Sequence, residues 1–227
     1  MLVVLSNPDY RLDDLEEVRR LVRRHPWATL VTAGPDGLVA SHYPVLVEEP
    51  RPAAEHGVPG SGEPGSGEPG LSLLTHIGRP DDIALGVRER ELLVVVQGPH
   101  GYITPSWYPA GDVVPTWDHM TAHLHARAEV LSDEENLAVL ARLVEVMEAP
   151  VERPRSLAQD PERVRRTARG TVGLRLRVHR VEALAKLSQD KPEAVRRSVL
   201  AGLRGDGPYA SPALARELAR TLDGTDA

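Results

Sequence analysis

Apolar and polar residues first follow a helical period and then change to the alternation typical of strands. One face of a predicted helix near the start carries Leu12, Leu15, Val18 and Leu21. Its acidic residues come early and its arginines late, as the helix dipole favours, and Pro26 ends it. Strands are predicted over 28–32 and 38–47. They are joined by the turn 34–37, in which proline and glycine supply the required dihedral angles.

Strand patterns return after residue 70. Predicted strands cover 71–77, 92–97, 121–131 and 174–178, and a short helix is predicted over 79–90. The spacing of Ser132 and Glu135 is that of a capping box. The helix that it opens has an apolar face of Leu137, Leu140, Val144 and Met147. With two closing helices from Pro192 and Ser211, six or seven strands in hairpin-like succession predict an antiparallel barrel flanked by helices.

One segment interrupts this pattern. Pro-Gly-Ser-Gly-Glu occurs twice, at 59–63 and 64–68, and such a sequence has nothing to bury. We therefore predict a disordered insertion over 51–70 within a barrel domain that covers residues 1–205. A C-terminal helix and tail are predicted over 206–227.

Composition narrows the possible chemistry. The 227 residues are 41% hydrophobic, enough to bury a sizeable core without disulfides. Cysteine is absent, which excludes a thiolate nucleophile and a thiolate-ligated metal or haem. No apolar run approaches the roughly 20 residues of a membrane span. The first residues lack a charged leader, so we expect a cytoplasmic protein without membrane partners. A net charge of −6 argues against nucleic-acid binding.

Aromatic residues are concentrated in one stretch. Two of the three tryptophans and two of the five tyrosines lie within 102–117, although aromatics make up only 4% of the chain. Flat side chains at this density are typical of a pocket wall for a flat ligand. A rigid hairpin corner, packed for stability, explains the composition equally well.

The nine histidines offer candidate ligands. His76 stands in the apolar strand 71–77, where an imidazole needs a partner to offset its desolvation. It is either a satisfied core histidine or a ligand. His123 and His125 point to one face of a predicted strand. They are either a two-nitrogen metal site or polar residues on a partly solvent-exposed face.

A second candidate lies where the last predicted strand gives way to a helix. Lys186, Ser188 and Gln189 supply ammonium, hydroxyl and amide groups there, which would suit a phosphate or a carboxylate. A solvated strand exit is the alternative. The basic run Arg163, Arg165, Arg166 and Arg169 indicates a solvated helix face.

These segments together resemble the PaiB-like family. The resemblance rests on 25–32, Ser41 to Pro44, 97–108, 114–117 and 186–189, and it covers residues 8–205 apart from the insertion. It implies a mainly β protein with flanking helices, a split β-barrel of the flavin-binding, PNP oxidase-like type. It also implies that FMN is a cofactor and that the protein forms a homodimer. Members of the family are named negative transcriptional regulators.

A smaller branch of that family, the piperazate synthases, binds haem b and forms the nitrogen–nitrogen bond of piperazic acid from N5-hydroxyornithine. The chain keeps the histidine that this branch would use, His76, together with Arg79. Asp118 and Asp190 replace asparagines of the family near the expected phosphate site. Two carboxylates there would repel the phosphate of FMN, so we favour haem b and keep FMN as the alternative.

The resemblance also implies roles for individual residues. His76 would be the axial ligand of the haem iron. Lys186 and Arg79 would act as carboxylate clamp and leaving-group donor, in an order left open, on a small amino-acid substrate. The remaining cofactor-binding residues would be His42, Trp107, Tyr108, Trp117, Ser188 and Gln189. The alternatives are an FMN-binding regulator or flavin redox protein, in which Lys186 and Ser188 hold the phosphate, and a binding module without chemistry.

Overall fold

A computed structural model describes residues 8–49, 70–109 and 114–222. Its strands are β1 (Trp27–Gly34), β2 (Gly37–Pro44), β3 (Leu46–Val47), β4 (Leu71–Gly78), β5 (Glu91–Ile103), β6 (Thr116–Val130) and β7 (Thr171–Lys186). Its helices are α1 (Leu15–Arg24), α2 (Arg79–Ala84), α3 (Asp133–Glu148), α4 (Pro161–Ala168), α5 (Glu193–Arg204) and α6 (Pro212–Leu222). Short 3-10 helices cover Pro8–Tyr10, Pro105–Trp107 and Leu157–Gln159.

The strands form one sheet in the order β2-β1-β5-β6-β7-β4-β3. The predicted hairpin is confirmed, because β1 and β2 pair antiparallel from Trp27 opposite Pro44 to Gly34 opposite Gly37. Strand β4 pairs antiparallel with β7 along all eight of its residues. The two closing helices predicted from the sequence are confirmed as α5 and α6.

Three predicted boundaries were wrong. The helix predicted over 79–90 ends at Ala84, and Gly86 follows in the left-handed conformation that stops helices. Strand β5 continues beyond Gln97 into the aromatic stretch, and β6 begins at Thr116 instead of 121. Gly98 allows β5 to continue, because a Cβ atom there would lie 2.5 Å from Leu21 Cδ1. The predicted insertion falls almost wholly on 50–69, outside the described residues.

The chain divides into two compact units. Of the described residues, the first unit takes those within 1–21, 97–122 and 182–227. The second takes those within 22–96 and 123–181. The predicted domain limits, 1–205 and 206–227, remain a prediction.

In the second unit, alternation along β4 and β7 builds the core. Leu71, Leu73, Thr75 and Ile77 of β4 are buried, and the residues that alternate with them are half-buried. The predicted alternation of β7 is confirmed, since Leu174, Leu176 and Val178 are buried. His76 therefore lies on the face of β4 that points away from these leucines.

Helix α3 begins with the predicted capping box, in which Ser132 and Glu135 satisfy each other's backbone N–H groups. The side that it buries in the core differs from the predicted apolar face. The buried side chains of the helix are Asn136, Val139 and Leu143, and the two apolar ones pack in a cluster with Leu46 and Leu131. The predicted face is left half-buried, with Met147 42% exposed. The helix is apolar on two sides, and the sheet covers only one of them.

In the first unit, four charged side chains connect α1 with α6. Arg20 donates two hydrogen bonds to Glu217, at 3.0 and 2.6 Å, and a third to Glu17. Arg220 donates to both glutamates. Hydrogen bonds from Arg220 and then Arg20 lower the pKa of Glu17 to about 2, although burial opposes them. Glu217 is only 4% exposed, so its charge depends on these partners.

Replacing Glu217 by alanine should destabilise the protein. We expect a loss of about 2 to 3 kcal/mol in the free energy of unfolding, because both arginines lose a buried partner. The matched control is Glu145→Ala, whose exposed pair with Arg142 should contribute no more than about 0.5 kcal/mol. Urea unfolding of the three proteins measures the difference, and equal losses in the two variants would contradict the assigned role of Glu217.

Candidate functional site

His76 lies on β4 in the second unit and is half-buried. Its Nδ1 atom is buried and has no hydrogen-bond partner among the described residues. Burial lowers the pKa of the imidazole below its ordinary value, which keeps the ring neutral at pH 7. A neutral imidazole with a free nitrogen is the form that binds a metal ion or donates a hydrogen bond.

His76 lines a cavity of about 640 Å³, within the roughly 300–1,000 Å³ typical of ligand pockets. Its walls come from α3, the 3-10 helix 157–159, α4 and the start of β7. They are mainly apolar, with Leu140, Leu143, Val144, Leu157, Val164 and Ala168. The apolar side of α3 that the sheet leaves uncovered thus faces a cavity that also contains an unpartnered imidazole.

Two arginines were missed by the sequence analysis as part of this cavity. Arg155 and Arg163 are exposed, and both line it. Asp160 lines it too, and its side chain caps α4 by accepting a hydrogen bond from the Arg163 backbone N–H at 3.1 Å. Three arginines of the basic run predicted as a solvated helix face lie on α4, and Arg169 follows its last residue. Only the first of the four, Arg163, lines the cavity. A single sequence carries no signal that separates this arginine from the others.

Tyr43 helps to hold the end of β4. Its ring meets that of His76 edge-on, with centroids 6.4 Å apart. Its hydroxyl donates to Asp81 at 2.8 Å and accepts from the Gly78 backbone N–H at 3.0 Å, and Ser41 also donates to Asp81. These bonds connect β2 to the end of β4 and the start of α2. They lie two to five residues after His76 along the chain.

His42, predicted to bind the cofactor, is exposed and does not line the His76 cavity. Its ring is nearly parallel to that of the exposed Trp27, with centroids 6.4 Å apart. Arg79 donates from Nε to the Arg169 carbonyl at 2.6 Å and lines a separate cavity of about 110 Å³. The roles predicted for His42 and Arg79 remain predictions.

The predicted anion-binding residues lie in the first unit, where each makes internal hydrogen bonds. Lys186 donates to Thr116 Oγ1, and its Nζ lies 5.7 Å from the centre of the Tyr10 ring. The Gln189 amide accepts from the Leu187 backbone N–H and donates to two carbonyl groups. Their predicted roles are not tested by these contacts.

Asp118 lies beside the same residues and is fully buried. Ser188 donates from Oγ to its Oδ2 at 2.6 Å, while Oδ1 has no hydrogen-bond partner. Burial raises the pKa of Asp118 to about 6, against the opposing hydrogen bond from Ser188 and the charge of Lys186. Ser188 adopts a left-handed backbone conformation, with φ 55°, which is uncommon outside glycine. In this arrangement the Ser188 hydroxyl has a carboxyl partner, and the roles predicted for Ser188 and Lys186 remain predictions.

Of the predicted aromatic wall, two members are packed inside the first unit. The Trp107 ring lies against Gly202 of α5, where a Cβ atom would come within 2.2 Å of it. Tyr108 is 9% exposed, and Lys191 Nζ lies 5.5 Å from its ring centre. Trp117 differs, since it is 56% exposed and meets the Tyr102 ring edge-on. The packed-corner alternative therefore describes Trp107 and Tyr108 well.

His123 and His125 share one face of β6, as predicted. His125 Nδ1 lies 3.5 Å from Glu91 and 3.0 Å from Arg180 Nη2. Within 8–49, 70–109 and 114–222, no cluster of three or more histidine, aspartate or glutamate residues could hold a metal ion. A metal at His76 would therefore need a carrier, such as a porphyrin, that supplies further ligands.

A family model described as "Putative FMN-binding domain" matches residues 5–180. The chain belongs to this family. The "Protease synthase and sporulation protein PAI 2" of Bacillus subtilis is 25% identical over 198 residues, which are 87% of this chain and 87% of that protein. The PaiB-like resemblance predicted from the motifs is thus confirmed.

Two solved structures share the fold of this family member. The FAD and heme binding protein from Mycobacterium smegmatis has a TM-score of 0.53 at 15% identity, with coverage of 85% of this chain and 80% of that chain. The flavocytochrome Anf3 from Azotobacter vinelandii also has a TM-score of 0.53, at 12% identity, with coverage of 80% and 72%. The predicted fold class, mainly β with flanking helices in a split β-barrel of the PNP oxidase-like type, is confirmed. No helix among the described residues is long and apolar enough to cross a membrane.

The raised pKa of Asp118 predicts a pH-dependent effect of Asp118→Asn. The unfolded chain releases this proton near pH 3.8 and the folded protein near pH 6, so the stability of the wild type should fall as pH rises between these values. Asparagine has no charge to bury and can still accept the Ser188 hydrogen bond. The variant should gain up to about 3 kcal/mol over the wild type above pH 6, and almost nothing near pH 4.

Urea unfolding between pH 4 and pH 8 measures this gain. The control is Asp190→Asn, which removes a carboxylate from a nearby exposed position and should change stability by less than about 0.5 kcal/mol. A constant difference between Asp118→Asn and the wild type over this pH range would contradict the assigned titration.

Proposed function

We propose that this protein binds haem b through His76 and is a piperazate synthase-like enzyme that cyclises N5-hydroxyornithine to piperazic acid. The main support is a neutral, half-buried imidazole, His76, that lines an apolar cavity. Haem is a large apolar macrocycle whose iron takes a histidine nitrogen as axial ligand. The cavity therefore offers both kinds of contact that haem needs.

The fold is compatible with such a cofactor. The M. smegmatis protein of this fold is named for binding both FAD and haem. The buried Asp118 beside Ser188 further favours haem over a flavin phosphate held by these residues, because a carboxylate and a phosphate repel each other.

The proposed reaction balances without an oxidant or a reductant. The α-amine nitrogen of the substrate forms a bond to N5, the N5–O bond breaks, and the amine proton and the hydroxyl group leave as water. Haem iron, when bound, would supply a Lewis acid for the hydroxylamine oxygen. The residues have to fold the substrate so that its two nitrogens approach, and to move a proton from the amine to the leaving oxygen. Lys186 and Arg79 are proposed for the carboxylate clamp and the leaving-group donor.

A second candidate is an FMN-binding PaiB-type regulator or flavin redox protein. The family model supports it directly. In that case Lys186 and Ser188 would have to exchange their present hydrogen bonds for a phosphate. For either candidate, we propose a cytoplasmic homodimer. As the haem enzyme, it would act on a small amino-acid substrate and not on nucleic acid.

Haem titration of His76→Ala tests the cofactor assignment. We expect the wild type to develop a Soret band with equimolar haem and the variant to lose it, because the axial nitrogen is gone. The matched control is His123→Ala, which removes a half-buried histidine outside the cavity and should bind like the wild type. An unchanged Soret band in His76→Ala, or purified wild type that carries FMN and takes up no haem, would refute the proposal.

The reaction is tested with N5-hydroxyornithine and haem-loaded protein. The wild type should convert it to a product that is lighter by one water molecule. Lys186→Gln should lower the rate by about 100-fold, the order expected for loss of one proton-transferring or charge-stabilising group, without change in the Soret band. If the loaded wild type leaves the substrate intact, haem binding can stand but the cyclase assignment fails.

A further inference from the structure

The His76 cavity combines apolar walls with cations at its edge. Leu140 and Val144 of α3 belong to the helix side that the sheet does not cover, and Val164 of α4 adds to the same walls. Such walls suit a large apolar body. Purely apolar walls, however, give no preference for one orientation of a flat ligand.

Arg155 and Arg163 are the two basic side chains that line this cavity. They approach it from separate segments, one following α3 and the other in the first turns of α4. Neither guanidinium forms an ion pair with an acidic residue in the described parts of the chain, whereas Arg175 bonds to Glu48 and Glu129. A guanidinium group recognises a carboxylate through two parallel hydrogen bonds.

One acidic residue, Asp160, also lines the cavity. One of its carboxylate oxygens already accepts a hydrogen bond from the Arg163 backbone at the N-terminus of α4. Two arginines and one capped aspartate leave one net positive charge at the cavity. The cavity therefore favours a ligand that is apolar in its body and anionic at its edge.

We propose that Arg155 and Arg163 bind the two carboxylate arms of a porphyrin and thereby fix its orientation in the His76 cavity. This inference rests on the proposed function and adds the ligand class, a porphyrin dicarboxylate, and the residues that select it. His76 holds the metal at the centre, and the two arginines hold the edge. The apolar walls enclose the macrocycle between these attachments.

Haem titrations of Arg155→Gln, Arg163→Gln and the double variant test this assignment. Each single variant should bind haem about three- to tenfold more weakly, since each removes one exposed charge-assisted contact. The double variant should lose roughly the product of the two factors. The matched control is Arg165→Gln on the same helix, which lies outside this cavity and should stay within about twofold of the wild type.

Haem dimethyl ester, which lacks the anionic arms, separates charge recognition from a loss of structure. The wild type and the double variant should bind the ester equally, with unchanged circular dichroism. If the double variant binds free haem as tightly as the wild type, or loses the ester to the same extent as free haem, the inference is wrong. If the double variant keeps its affinity for free haem while His76→Ala loses the Soret band, the arginine inference fails but the haem proposal stands. A wild type that takes up no haem would overturn both proposals.

Discussion

The region proposed as a site depends on one unsatisfied atom, Nδ1 of His76. A buried polar group without a hydrogen bond costs about 1 to 3 kcal/mol, and Asp118 Oδ1 is another such atom among the described residues. Pairing with β7 along the whole of β4 fixes the backbone at His76. Burial also keeps the ring neutral.

Helix α3 explains why there is a cavity beside this atom. Val139 and Leu143 bury one side of the helix against Leu46 and Leu131, which is enough to attach it to the sheet. Leu140 and Val144 remain on an adjacent side and meet the cavity instead. An apolar helix side that the protein buries only in part is typical of a surface that a ligand or partner covers.

The sequence predicted the elements better than the site. Alternation along β7 and the capping box of α3 are local patterns, and both are confirmed. The apolar residues of α3 fit two helical faces, and only contact with the sheet decides which of them is buried. Arg163 could not be told apart from the other arginines of α4, because only the folded structure shows which of them lines the cavity. Whether an imidazole is satisfied depends on groups from distant segments, so periodicity alone left His76 open.

The two units carry different kinds of evidence about the cofactor. In the first unit, Asp118 accepts a hydrogen bond from the Ser188 hydroxyl, so this hydroxyl already has a partner within the protein. In the second unit, our proposal places a macrocycle with a metal at its centre in the cavity that His76 lines. The fold itself does not decide between these cofactors, because folds host many functions. The decision rests on side chains. Our proposal of haem depends on His76 and its cavity, whereas the family model favours FMN.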